Sequence, residues 1–357
     1  MNVGNLFPQA LYRQALRLMS VVLPVPDAFR SFLQFPGMQG MRFGTQRSNK
    51  FPAGIGMAAS VWLLFFVGGF SSSAQTADSA SHEGAPKARL TVVAGTGVLG
   101  FTAGLLYLSE IWYADSQRVP FQFYRDHTGW LQMDKFAHSY VAYQQSYWGY
   151  EALRWAGVSR SKALWIGGSL GFVLQLPIEL FDGMYEGYGF SWSDVAANTV
   201  GSAIFIGQEM AWGEQRMLPK FSFYPSPYAS LRPGTLGRTL GAQLVQDYNA
   251  QTYWFSFSPG SFFDWDNWPP WLCLSIGYSG EGMLGEFENP DFINGESVKH
   301  IYRYRQYFIS LDMDLRKIKT RHGFLKGLFH AMNMIKIPAP AMEFNTKNGL
   351  RFRPVYY

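Results

Sequence analysis

The chain has 357 residues, room for one large domain or two ordinary ones, with 48% hydrophobic and 17% aromatic residues but only 15% charged ones, against about 25% charged in a typical soluble domain. A mean hydropathy of −0.07 is too polar for a chain made only of membrane-crossing helices, so membrane contact is expected to be partial. The net charge of +5 is mild, and the single cysteine, Cys273 in the apolar run WLCLSIGY, excludes an intramolecular disulfide and reads as a small buried hydrophobe.

Residues 1–40 carry no readable pattern, and Met41 offers an alternative start of translation. From Met41 the three parts of a secretory signal follow in order: Arg42, Arg47 and Lys50, then the apolar stretch Ala53 to Phe70, then Ser72-Ser73-Ala74 before Gln75. Segment 41–74 is therefore expected to be a signal peptide, with an uncleaved spanning helix as the alternative. Gln75 is not cysteine, so no lipid anchor is indicated. Residues 75–88 are small and polar and read as a flexible leader.

A helical domain is expected over 89–217. Its first helix, from Leu90 to Ser109, lacks charge for twenty residues and either spans a bilayer or packs as a core helix; Gly100 and Gly104 would let another helix approach closely. A surface connection covers 114–130. The second helix opens at Asp134 and runs to about Trp155, and the third covers ALWIGGSLGFVLQLPIELFDG with a kink expected at Pro177. A fourth, to about Trp212, is capped by Ser191 three positions before Asp194.

Residues 218–235, rich in Pro and Ser, read as a linker. An aromatic-rich antiparallel β region follows over 236–357, with about five or six strands from QTYWFSFSP to LRFRPVYY, too few for an outer-membrane barrel of at least about eight. In one of them Tyr307, Ile309, Leu311 and Met313 share a face, and Ser310, Asp312 and Asp314 the other, as a half-buried strand requires. Lys299 to Tyr357 carries twelve Lys or Arg against three acids. Within it HGFLKGLFHAMNMIKI reads as a basic amphipathic helix. Phe324, Phe329, Lys326 and Lys336 would lie on an anionic leaflet, or the helix packs on its own sheet. The fold class expected is α+β: an N-terminal four-helix, membrane-associated bundle, then the β region.

Chemistry-bearing residues concentrate in the helical part. Asp134, Lys135 and His138 open the second helix, Glu179, Asp182 and Glu186 follow the third, and Asp194, Asn198 and Gly201 share one face of the fourth. A His beside several carboxylates suits a divalent metal or an acid–base site, with Asp134, His138, Glu179, Asp182 and Asp194 as candidates. Yet no H-x-x-x-H pair or Gly-x-Ser-x-Gly elbow is present. The same residues, with Lys135 and Asn198, equally suit a polar clasp that fixes helix register, or line a ligand pocket. No catalytic residue, metal or cofactor is assigned.

The order D-K-x-x-H, E-x-x-D and S-x-x-D-x-x-x-N-x-x-G, carried by Asp134, Lys135, His138, Glu179, Asp182, Ser191, Asp194, Asn198 and Gly201 over roughly residues 89–213, resembles the YfiM-like family of predicted periplasmic lipoproteins. It is similar, more distantly, to VanZ-like membrane proteins. The family implies no established reaction, and its lipidation is not carried over because Gln75 stands where the lipid-bearing cysteine would be. The expectation is an exported protein of a Gram-negative envelope, in the periplasm or at the outer membrane and membrane-associated, with a structural or assembly role. The alternative is a metal-dependent or acid–base hydrolase acting on a lipid or cell-wall substrate. Membrane lipid or other envelope proteins are the expected partners. No helix-turn-helix, zinc-finger or RNP-like pattern is visible, so nucleic acid is not.

Overall fold

The computed structural model describes residues 87–357, except 114, 115, 264 and 266; the signal peptide expected at 41–74, the residues before it and the leader up to 86 lie outside them. The fold is α+β, with a helical unit followed by an antiparallel sheet.

Helix α1, Lys87–Trp112, is long and apolar enough to cross a membrane and buries none of its residues. No atom comes within 4 Å of a Cβ placed on Gly100 or Gly104, so the close helix pair expected there is not formed among the described residues. The packed unit consists instead of α2 (Met133–Trp155), α3 (Arg160–Gly168), α4 (Leu170–Asp182) and α5 (Trp192–Trp212). The third predicted helix is thus two helices. Its break falls at Ser169, after a glycine pair, while Pro177 continues α4.

Small residues set how closely these helices meet. A Cβ on Gly171 would lie 1.9 Å from the Ala142 carbonyl oxygen, and one on Gly201 2.1 Å from that of Ser139. Backbone therefore rests on backbone along α2, and Ser146 and Ser202 hydrogen-bond at 3.0 Å beside that contact. Tyr143, Tyr147, Tyr150, Ala163, Leu164 and Phe205 form the apolar core at the far end of α2.

Eight strands follow: β1 Met217–Phe223, β2 Gln251–Phe257, β3 Leu272–Glu281, β4 Phe292–Ile293, β5 Glu296–Ser297, β6 Tyr304–Met313, β7 Ala339–Asn345 and β8 Gly349–Tyr356. Six form one antiparallel sheet in the order β1-β2-β3-β6-β7-β8, and β4 and β5 make a separate hairpin. Strand β1 occupies the start of the expected linker: its Pro219 lies on an edge, where a missing N–H costs no ladder bond. The other edge of β1 is covered by the backbone of 334–336, through Phe221 N–H to Met334 O at 3.1 Å and Lys336 N–H to Phe221 O at 2.9 Å.

The polarity of the sheet is inverted with respect to the sequence expectation. In β6 the buried face is Gln306, Phe308, Ser310 and Asp312, and the exposed one is Tyr307, Ile309 and Leu311. Register carries this across the sheet: Ile276, Ile309, Met342 and Phe352 line up outward, while Ser256, Ser275, Ser310 and Ala341 line up inward. The sheet curls so that Tyr356 of β8 reaches Thr252 of β2 at 3.1 Å and Tyr357 stacks on Tyr224. The enclosed side holds Trp254, Phe308 and Tyr356 together with the polar groups.

Helix α2 covers the outer side of β1 and β2: Tyr140 packs on Phe221 and Tyr253, and Gln144 donates to Pro219 O at 3.0 Å. The amphipathic segment is helical only over Gly323–Met332, here α8 (after the short helices α6, Pro233–Leu236, and α7, Leu240–Gln246). Phe324, Leu328, Met332 and the following Ile335 are exposed, Phe329 is half-buried and Lys326 is exposed. Lys336 is not a surface residue. It is 2% exposed, donates to the carbonyls of Leu311 and Ile337 at 2.7 Å, and sits 5.0 Å over the Trp254 ring, because its backbone pairing with β1 turns its side chain into the curl.

Candidate functional site

The site forms where the first turns of α2 and α5 meet the last turn of α4. Three left-handed residues, Trp130, Leu131 and Gln132 (φ 49°, 52° and 66°), deliver the chain into α2. They are held by Trp130 N–H on Glu286 O at 2.7 Å and by the Tyr278 hydroxyl on Leu131 O. Such conformations are disfavoured for side-chain-bearing residues and persist where surrounding contacts over-determine them. At α5 the Ser191 hydroxyl accepts from Asp194 N–H at 3.1 Å, the cap read from the sequence.

Lys135 is the hub. Its ammonium lies 2.6 Å from Asp194 Oδ1, 2.7 Å from Asp134 Oδ2 and 2.7 Å from Asp126 Oδ2. Asp126 also accepts from Ser191 at 2.7 Å and Ser193 at 2.6 Å, and Asp134 accepts from the Tyr248 hydroxyl at 2.5 Å. His138 lies between two sets of oxygens. Its Nε2 is 3.6 Å from Asp134 Oδ1 and 3.8 Å from Asp194 Oδ1, and its Nδ1 is 3.2 Å from Asn198 Oδ1 and 3.4 Å from Glu179 Oε1. Glu179 is fully buried, and among the described residues neither carboxylate oxygen accepts a hydrogen bond.

Six of the candidates thus converge: Asp134, Lys135, His138, Asp194, Asn198 and Glu179, whose carboxylate lies against the imidazole. Asp182 turns instead to the Tyr113 hydroxyl. Sequence reasoning missed Asp126, Tyr248 and Tyr113, which stand on connections outside the three motif blocks and show no local pattern.

Electrostatics follow from burial and crowding. Burial opposes charge on Asp134, but His138 and Lys135 hold its carboxyl below the usual range. At Asp126 the same opposition is overcome by hydrogen bonds from Lys135, Ser193 and Ser191, giving about 2. Burial would lower the His138 pKa, yet Asp194, Asp134 and Glu179 together raise it to about 9. Burial pushes Glu179 up to about 8 and Asp194 to about 7, each only partly offset by His138. Near neutral pH the cluster therefore holds protons that neither an exposed carboxylate nor an exposed imidazole would keep.

The polar centre of the helical unit is thus assembled from three helix ends. Residues 122–206 match the family described as predicted periplasmic lipoprotein (DUF2279), a family of unknown function. The resemblance read from Asp134 to Gly201 is to a family of the same description, predicted periplasmic lipoproteins, and the sheet lies outside the matched stretch. That description agrees with the exported, periplasmic or membrane-associated location expected from the signal segment. No curated protein and no solved structure matches the chain.

Proposed function

We propose that this protein is a membrane-associated component of the Gram-negative envelope, held at the outer membrane and facing the periplasm, with a structural or assembly role. The observation that carries this reading is the polarity of the sheet. Ile276, Ile309, Leu311, Met342, Phe344, Leu350 and Phe352 form an exposed outer face, and Lys220, Asp312, Ser275 and Glu343 are enclosed. In water this arrangement leaves apolar surface uncompensated at about 25 cal/mol per Å². Against hydrocarbon it is the arrangement of a membrane barrel wall, apolar outside and polar within. Helix α1, with no buried residue, and the exposed stripe Phe324, Leu328 and Met332 on α8 support the same reading.

Fractionation of the epitope-tagged protein tests it. The full chain is expected in the membrane pellet after an alkaline wash, and Ile309→Asp with Phe352→Asp should move part of it to the wash. Recovery of the unsubstituted chain in the cytosol or as soluble periplasmic protein overturns the proposal.

One observation favours a second reading, a metal-dependent or acid–base hydrolase acting on a lipid or cell-wall substrate: His138 lies between Asp134 and Asp194 on one ring nitrogen and Glu179 on the other, the setting of an oriented proton-transfer group. Loss of the cellular phenotype in His138→Ala with the protein folded and correctly located would favour it. An unchanged phenotype removes it.

A further inference from the structure

We infer that Asp134, His138 and Asp194 form a binding site for one first-row divalent cation, of the Zn²⁺ or Mn²⁺ kind. The inference deepens the hydrolase reading by giving its site a ligand, and it stands whether or not the protein catalyses anything.

Three observations carry it. One donor atom from each residue lies within 4.8 Å of the other two, the space one ion fills at ligand distances of about 2.0–2.6 Å. The imidazole is oriented as a ligand. Nε2 faces the two aspartates, and Nδ1 faces Glu179 and Asn198 on the far side, the arrangement in which an outer carboxylate or amide fixes the ring of a metal-bound histidine. Third, Glu179 is fully buried, accepts no hydrogen bond among the described residues and is aimed at that ring. With a cation on Nε2, Nδ1 must carry the ring proton, and Glu179 becomes its acceptor.

Charge in the cluster suits a cation there: Asp126, Asp134 and Asp194 already gather around one ammonium, that of Lys135. Lys135 is then the competitor: its ammonium already contacts Asp194 Oδ1 and Asp134 Oδ2. An imidazole with carboxylates suits Zn²⁺ and Mn²⁺ better than Mg²⁺ or Ca²⁺, which favour all-oxygen sites.

The test is titration calorimetry and elemental analysis of the full chain purified in detergent, with ZnCl₂ and MnCl₂ as probes and thermal melts to confirm folding. One equivalent of metal is expected. Asp194→Asn, which keeps the side-chain shape, and His138→Ala should each abolish binding. Glu179→Gln should weaken it by about 10- to 100-fold. Lys135→Met should tighten it by removing the competing charge, whereas a lysine needed only as a structural partner predicts no gain in metal affinity. Folded wild-type and Lys135→Met proteins that both bind no metal overturn the inference, as does binding that survives in both Asp194→Asn and His138→Ala. Because no substrate enters these measurements, they separate failure of the metal site from failure of the hydrolase reading.

Discussion

Lys220 and Asp312 stand on strands separated by two others, with Nζ 2.9 Å from Oδ2, and neither side chain touches solvent. Lys220 also donates to Met313 O at 2.7 Å, and Asp312 accepts from Ser256 at 2.6 Å. This pair ties β1 to β6 through the inside of the curl, across β2 and β3. Removing one partner strands the other, so Lys220→Met should lower unfolding free energy by about 3–5 kcal/mol. Lys220→Met combined with Asp312→Asn should lose less than the sum of the two single changes. Urea denaturation of the three variants measures both.

The clasp around Lys135 supports a parallel expectation. Asp134 and Asp194 share that ammonium, so Asp134→Ala and Asp194→Ala should each destabilise the helical unit, and the double variant should cost less than the two added. Full stability in all three, with the cellular phenotype lost, would instead mark strained functional groups, whose removal typically spares or improves stability. Thermal melts decide.

Two glycines of α5 should behave oppositely. Gly201→Ala places a methyl group 2.1 Å from the Ser139 carbonyl oxygen, where rigid backbone must shift, and should cost about 1–3 kcal/mol or more. Gly207 has nothing within 4 Å of a built Cβ, so Gly207→Ala should stabilise by about 0.5–1 kcal/mol through helix propensity. Melting temperatures of the two variants should move in opposite directions.

His330 supplies a pH dependence outside the cluster. Burial, reinforced by Arg316 and Lys326 and countered by Asp314, lowers its pKa from 6.5 to about 4, while its ring packs against Tyr147 and Trp148. The folded pKa is below the unfolded one, so the unfolded state binds the proton first as pH falls. Its contribution is whole above about 6.5 and is lost progressively down to about 4. Stability measured across that window should decline less steeply in His330→Gln than in the unsubstituted chain.

What the sequence determined alone was the set of local periods and the residues able to do chemistry. The run from Asp134 to Trp155 located α2, Ser191 marked the cap of α5, and the alternation Tyr307, Ile309, Leu311 located β6, because these depend on bonds and contacts within a few residues. Asp134, His138, Asp194 and Asn198 were legible as a cluster because helix geometry puts each pair on one face. The tertiary structure alone decided which side of the sheet became the inside. Alternation says that a strand has two unlike faces, not which one is enclosed, and here the curl from β1 to β8 encloses the polar one. It likewise turned Lys336 inward, broke the third helix at Ser169 where glycines let backbones touch, and brought Asp126 and Tyr248 to the hub at Lys135 and Asp134. Those contacts join distant stretches of chain, and no local pattern encodes them.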